Sequence, residues 1–324
     1  MPEHDDVLLS TERLRDVGEV DSVERRIHVG AGATLAEVQR AAAAAGLMFG
    51  VDLAARDSAT VGGMASTNAG GLRTVRYGNM GEQVLGLDVA LSDGSVVHRH
   101  SQVRRDNTGY DLASLFIGAE GTLGVITGLD LRLHPTPAHR VTAICGFDDL
   151  DALVETGRAF RDMDGIAALE LIDARASALT AEHVGMAAPV TGAWQLLGVY
   201  GPPLKFDVSL PLSAIEAFAA ESAELIAKHA PDAIPVLFGH IGEGKLHLNL
   251  VRCVLNGDRE RELYAAMMEL IARRGGNVSS EHGVGTRKRD YVSMSRTEAD
   301  IAAMRAVKAA FDPPGYLNPA VLFG

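Results

Sequence analysis

The order of apolar and polar positions breaks the chain into short strands and Ala-rich helices. Val7-Leu-Leu-Ser and Arg26-Ile-His-Val-Gly30 read as strands. Thr34 stands where an N-cap belongs, with Glu37 at the reciprocal capping-box position. The spacing therefore predicts a helix through Ala45, closed by Gly46. Leu85 to Leu91 and Ser95 to His98 flank Ser92-Asp-Gly, a hairpin signal. Leu123 to Leu133 predicts a further strand that stops at Pro135 and Pro137. Longer helical stretches follow, at Ile215 to Lys228, Arg259 to Arg274 and Thr297 to Phe311, alternating with strands. The pattern is that of two α+β lobes, residues 1–136 and 137–324.

Within this pattern one stretch, Phe238-Gly-His-Ile-Gly-Glu-Gly-Lys-Leu-His-Leu-Asn-Leu250, stands out. His240 and His247 are separated by Gly242 and Gly244, and two glycines so close cost a helix about 1 kcal/mol each against Ala. Strand, glycine turn and returning strand fit better, and they can bring two imidazoles to one point. Glu281, in Ser279-Ser-Glu-His-Gly-Val-Gly285, offers a carboxylate with His282 beside it. Two imidazoles and a carboxylate suit Zn²⁺ or another divalent transition ion, with positions left open. Taken alone, the histidines equally suit partly buried residues bonded to backbone.

A second unusual stretch is Thr60-Val-Gly-Gly-Met-Ala-Ser-Thr-Asn-Ala-Gly-Gly71, expected to form neither packed helix nor strand. Its glycines would let backbone N–H groups approach a ligand closely. Phe116-Ile-Gly-Ala-Glu-Gly-Thr-Leu-Gly-Val-Ile126 repeats the theme. Neither is GxGxxG between strand and helix, so a Rossmann dinucleotide site is not indicated.

Composition narrows the class. The 324 residues are 47% hydrophobic and 22% charged, enough for two cores. A net charge of −12 gives nucleic-acid binding no support. Cys145 and Cys253 form no disulfide framework and no CxxC, which suits a reducing cytoplasm. No run of eighteen apolar residues would span a membrane, and the acidic start has no signal-peptide core.

The glycine stretches, with Arg76-Tyr-Gly, Asp106-Asn-Thr-Gly-Tyr-Asp111, Gly118-Ala-Glu-Gly-Thr-Leu-Gly124, the His/Glu motifs and Leu317-Asn-Pro319, resemble the FAD-linked D-2-hydroxyacid dehydrogenases of the vanillyl-alcohol-oxidase superfamily. The resemblance covers nearly the whole chain. It implies a partial FAD-binding lobe followed by a substrate (cap) domain. It also implies oxidation of a small D-2-hydroxy acid, of lactate, glycolate or 2-hydroxyglutarate type, to the 2-oxo acid, with an acceptor the sequence does not name. By position, Gly62, Gly63, Thr67, Asn68, Gly70 and Gly71 would line the ribityl and flavin region. Gly118, Glu120, Gly121, Gly124 and Val125 would run beside the adenosine half, and Asn318 would lie near the flavin edge. His240, His247 and Glu281 match metal ligands, for Zn²⁺ or Mn²⁺. His282 matches a general base, Lys205 a substrate-carboxylate contact and Asn249 a polar contact in the site.

Two departures from the family pattern are expected to matter. The Pro-x-Gly-Gly-x-Thr-like loop that wraps the FAD pyrophosphate has no counterpart. Between Tyr200 and Pro203 the chain lacks a segment with a Trp-x-x-Arg-Glu-like element that supplies a carboxylate clamp. The expectation is weakened FAD binding, exposed apolar surface that favours a homo-oligomer or a partner subunit, and a second possibility, a remnant that only binds a partner or metal. A metal-dependent hydrolase would leave the glycine stretches unexplained.

Overall fold

The computed structural model describes residues 7–100, 108–137, 143–162, 166–185, 204–251, 253, 255, 257–280 and 283–322. The chain divides into two compact units. The first comprises Met1–Gly71, Tyr77–Ala138 and Ala303–Phe323; the second comprises Leu72–Arg76 and His139–Ala302.

In the first unit, strands β1 (Val17–Asp21), β2 (Arg26–Gly30), β3 (Leu47–Phe49), β4 (Val84–Ala90), β5 (Val96–Arg99) and β6 (Val125–Pro135) form an antiparallel sheet ordered β1-β2-β6-β4-β5, with β3 on the far end of β6. Alternation decides its faces. Ile27, Val29, Leu87, Val89, Leu129 and Leu131 point inward and are fully buried, together with Leu35, Val38, Val61 and Phe116. His28, Asp88 and Asp130 occupy the opposite, wetter face. Helix Leu35–Ala44 begins at the expected capping box: Thr34 Oγ1 accepts from Glu37 N–H, and Glu37 Oε2 accepts from Thr34 N–H at 2.7 Å. Ala45 caps the helix, and Gly46 turns the chain at φ 71°.

Two sequence expectations are corrected in this unit. Residues 7–10 form no strand, and Val7 and Leu8 are 91% and 79% exposed. Both edges of β2 are already taken, by β6 and by β1, which the Asp21 side chain folds back through bonds to Val23 and Glu24 N–H. Within the glycine-rich stretch, Val61–Ser66 is a short helix capped by Thr60, and Val61, Gly62, Met64 and Ala65 are buried. Its tight packing explains its small residues: a Cβ on Gly62 would lie 2.5 Å from Ala31 Cβ.

The second unit has the antiparallel sheet β7 (Leu171–Ile172), β9 (Ile234–Gly239), β10 (Lys245–Val251) and β8 (Leu204–Ser209), in that order. Helices Ile215–His229 and Gly257–Arg273 cover one face; Phe218, Ile226, Leu263, Met267, Leu270 and Ile271 meet Phe206, Val208, Leu246, Leu248 and Leu250 there. The other β10 face carries Lys245, His247 and Asn249, whose partners across β8 are Ser209, Asp207 and Lys205.

Candidate functional site

The predicted strand–turn–strand around the two histidines is present. β9 ends at Gly239, a 3₁₀ turn spans Ile241–Glu243, and β10 starts at Lys245. Two glycines are obligatory here. Gly239 at φ 154° abuts Lys245 backbone oxygen, and Gly244 at φ 70° would place a Cβ 2.0 Å from Leu210 O. A side chain at either position would push the returning strand away. The turn brings the His240 and His247 rings to 5.8 Å between centroids, nearly perpendicular at 85°.

Each imidazole has a carboxylate at its Nδ1. Glu170 Oε1 lies 2.5 Å from His240 Nδ1, and Asp207 Oδ1 lies 3.7 Å from His247 Nδ1. Metal-ligating histidines are commonly held by such a carboxylate, with the second nitrogen directed at the ion; Glu170 is within hydrogen-bond reach of His240, whereas Asp207 faces His247 at ion-pair distance. Asp207 is the hub of the cluster: its Oδ2 accepts from Ser280 N–H at 3.2 Å and faces Lys288 Nζ at 3.4 Å. Lys288 Nζ in turn donates to Ser279 Oγ at 3.3 Å, and Ser279 Oγ donates to Gly283 O. The residues flanking positions 281 and 282 are thus tied to the strand opposite His247. Glu281 and His282 themselves lie outside the described residues, as does the Lys205 side chain, although position 205 pairs with Asn249 in the sheet register. Asn249 Oδ1 is buried without a hydrogen-bond partner among the described residues.

Glu170, Asp207 and Lys288 went unnoticed in the sequence. A signal for Asp207 existed: Leu204-Lys-Phe-Asp-Val-Ser alternates, so Lys205, Asp207 and Ser209 share one face of a strand. Glu170 and Lys288 reach the site only through tertiary packing and had no local signal.

In the first unit, the two glycine stretches bond each other directly. Gly118 N–H donates to Ala65 O at 3.0 Å and Glu120 N–H to Ser66 O at 2.8 Å. Asn68 accepts from Gly81 N–H, and Asn318 Nδ2 donates to Glu120 O. Asn68, Gly118, Glu120, Gly121 and Asn318 all adopt left-handed backbone, an unusual concentration for one location. Gly63 is exposed and Thr67 half-buried beside this assembly. Other glycines serve packing. Gly71 has Asp52 O where a Cβ would go, at 2.1 Å, and Gly124 has Val89 Cγ1 at 2.4 Å. Gly70 is buried, and Val125 opens β6. The close approach read into Gly62, Gly71 and Gly124 is therefore to neighbouring protein.

Residues 1–99 match the family described as FAD binding domain, and residues 136–199 and 188–322 match FAD linked oxidases, C-terminal domain. The chain belongs to the FAD-linked oxidases. It is 30% identical to a D-2-hydroxyglutarate dehydrogenase of Stutzerimonas stutzeri, across 98% of this chain and 81% of that protein. It is 32% identical to the mitochondrial D-2-hydroxyglutarate dehydrogenase of Bos taurus, across 98% and 69%. A glycolate oxidase subunit of Bacillus subtilis is 28% identical, across 99% and 80%. The fold is shared with alkyldihydroxyacetonephosphate synthase at TM-score 0.68 and 16% identity, over 95% of this chain and 67% of that one.

The comparison also shows that the chain lacks positions its relatives have. The Stutzerimonas alignment runs over 377 positions, 53 more than the chain's 324 residues, so at least that many face no residue here. The C-terminal family pattern matches in two pieces that meet at residues 188–199. The expected gap at Tyr200–Pro203 lies just beyond that junction and outside the described residues. No helix among the described residues is long and apolar enough to cross a membrane.

Proposed function

We propose that this protein oxidises a small D-2-hydroxy acid to the 2-oxo acid in an FAD-dependent reaction. The observation that carries the reading is the His240–His247 pair, each ring backed by a carboxylate, in a chain of the FAD-linked oxidase family. The donor set fits a divalent transition ion such as Zn²⁺ or Mn²⁺: neutral imidazoles held at Nδ1, with Glu281 as third ligand. The first unit offers a flavin nucleotide the left-handed backbone of Asn68, Gly118, Glu120, Gly121 and Asn318, gathered where its two glycine stretches bond each other, with Gly63 exposed beside it. When bound, the flavin supplies the hydride acceptor and the divalent ion the Lewis acid.

The protein's own groups do the rest. Lys205, opposite Asn249 on β8, holds the substrate carboxylate as a point charge. His282 takes the hydroxyl proton as hydride leaves C2. Asn249 Oδ1 accepts a hydrogen bond from the substrate. Glu170 holds the His240 ring through its Nδ1, and Asp207 places a carboxylate facing His247. In this reading the protein works in the cytoplasm.

A second reading, a family member with impaired orientation of its substrate, is supported by the at least 53 aligned positions that face no residue here: if they include the carboxylate clamp that the resemblance implies, orientation falls to Lys205, a point charge. One experiment separates them. The purified chain, supplied with FAD and a divalent metal, is assayed with D-2-hydroxyglutarate, D-lactate and glycolate and an artificial electron acceptor. Turnover on any of these that is lost with His282→Asn supports the first reading. A flavin-loaded protein that turns over none of them supports the second.

A further inference from the structure

The wet face of the first sheet carries a cluster that the proposed reaction does not use. His28 on β2, Asp88 on β4, His98 on β5, Asp130 on β6 and His100 just beyond β5 converge there. The strand register assembles them: His28 pairs with Asp130, Asp88 with His98, and Gly86 with Asp130. His28 Nδ1 lies 2.8 Å from Asp130 Oδ1, and His100 Nδ1 lies 2.8 Å from Asp130 Oδ2. One ligand atom from each of His28, His100 and Asp130 falls within 4.8 Å of the other two.

We propose that His28, His100 and Asp130 form a second divalent-metal site, of the Zn²⁺ class, on the outer face of this sheet.

Three features support an ion and not only a surface network. The donor set of two imidazoles and a carboxylate suits zinc, with further positions open to water. Bonds of about 2.1 Å in tetrahedral geometry put ligand atoms about 3.4 Å apart, and one atom from each of the three residues already lies within 4.8 Å of the other two, so a shift of about 1 Å gathers them. Rotation of His28, whose side chain is 53% exposed, can supply much of that.

Next, His100 is already oriented for ligation through Nδ1. Its Nε2 lies 2.9 Å from Asp88 Oδ1, the carboxylate–histidine arrangement that fixes a metal-bound ring. His98 Nδ1 meets the same Asp88 oxygen at 2.5 Å and steadies it.

Finally, the strands are hollowed for these rings. A Cβ on Gly128 would lie 2.9 Å from Asp88 Oδ2 and 3.5 Å from His28 Nε2. A Cβ on Gly86 would lie 2.6 Å from Arg99 O, 3.0 Å from His100 Cα and 3.1 Å from His100 Nδ1. A glycine inside a strand weakens it, and two on one face make sense where other groups must come close. Without an ion, His100 keeps a proton between the carboxylates of Asp130 and Asp88, its pKa raised to about 9, so an ion must displace that proton.

The test uses the full chain, stripped with EDTA and titrated with Zn²⁺ alone by equilibrium dialysis. His240→Gln/His247→Gln removes the ligands of the other candidate metal site. In that background one Zn²⁺ per chain should still bind. His28→Gln, at an exposed position that leaves the core intact, should weaken binding at least tenfold, and His100→Gln should do the same. Asp88→Asn should weaken it by about 10- to 100-fold, as outer partners of ligating histidines do. A double variant that binds no Zn²⁺, or whose binding is unmoved by both His28→Gln and His100→Gln, overturns the proposal and leaves a proton-holding network.

Discussion

Replacing Asp207 with asparagine should damage stability and metal affinity together, because one carboxylate serves both. Asp207 and Lys288 have side chains only 4% and 9% exposed, and their charges stand 3.4 Å apart. Coulomb's law at an effective dielectric near 20 gives the pair about 5 kcal/mol of gross attraction. Most of it offsets the desolvation of both groups. The measured loss is instead the cost of leaving one buried charge behind, about 3–5 kcal/mol. The substituted amide would still accept from Ser280 N–H through its oxygen, which places the expectation at the lower end, about 3 kcal/mol. With a urea slope of about 3 kcal/mol/M, the unfolding midpoint of the second unit should fall by about 1 M, read by circular dichroism. Asp207→Leu with Lys288→Met should recover part of that loss, since no buried charge is left behind, although the Ser280 N–H loses its acceptor. In the same Asp207→Asn protein, His247 loses the carboxylate facing its Nδ1, and metal affinity should fall about 10- to 100-fold. A midpoint shift under about 0.3 M, or a double variant no better than the single one, would refute the reasoning.

His282→Asn should lower kcat by about 10²–10⁴ in the flavin-loaded enzyme, whereas Lys205→Met should mainly raise KM, both read by steady-state kinetics. Gly62→Val should cost about 1–3 kcal/mol or prevent folding of the first unit, because its side chain has Ala31 where it must go; an unchanged melting temperature would remove the packing argument. Asp312 resists the upward push of burial: Lys308 and the N–H groups of Leu317 and Tyr316 hold its pKa below the usual carboxylate range. Its stabilisation is therefore complete above pH about 4 and lost as pH falls through the lowered native value. Asp312→Asn should destabilise the protein at pH 7 and flatten the acid limb of its stability profile, measured by denaturant melts between pH 2 and 7.

Where the sequence carried its own local physics, it could be read closely. The Thr34 capping box, the β4–β5 hairpin at Ser92-Asp-Gly, and the helices predicted from 215, 259 and 297 fall within two residues of their observed starts. Each depends on residues within a turn of one another. The His240–Gly–Gly–His247 turn was legible for the same reason. The short helix at Val61–Ser66 was not, because Gly62 packs against Ala31, about thirty residues earlier, and nothing local announces that contact. Glu170 and Lys288 were hidden likewise: each is separated from its site partner by at least seventy residues. The outer-face cluster draws on four strands, and none of its members has a motif around it.

The return of residues 303–323 to the first unit has a consequence for how the protein is made. Phe311 stacks edge-on against Phe116 at 5.4 Å, Lys308 donates to Thr122 O, and Ser92 donates to Phe311 O. These contacts close loops of 186 to 219 residues. During translation, at about 5–20 residues per second, residue 311 follows residue 122 by roughly ten to forty seconds. Through that interval the Phe116 end of the sheet lacks its cover, while the second unit is being synthesised. Folding of the first unit is thus last in completion though first in synthesis. A nascent chain stalled before residue 303 should be the form that chaperones hold and proteases cut, and release of the final segment should end both.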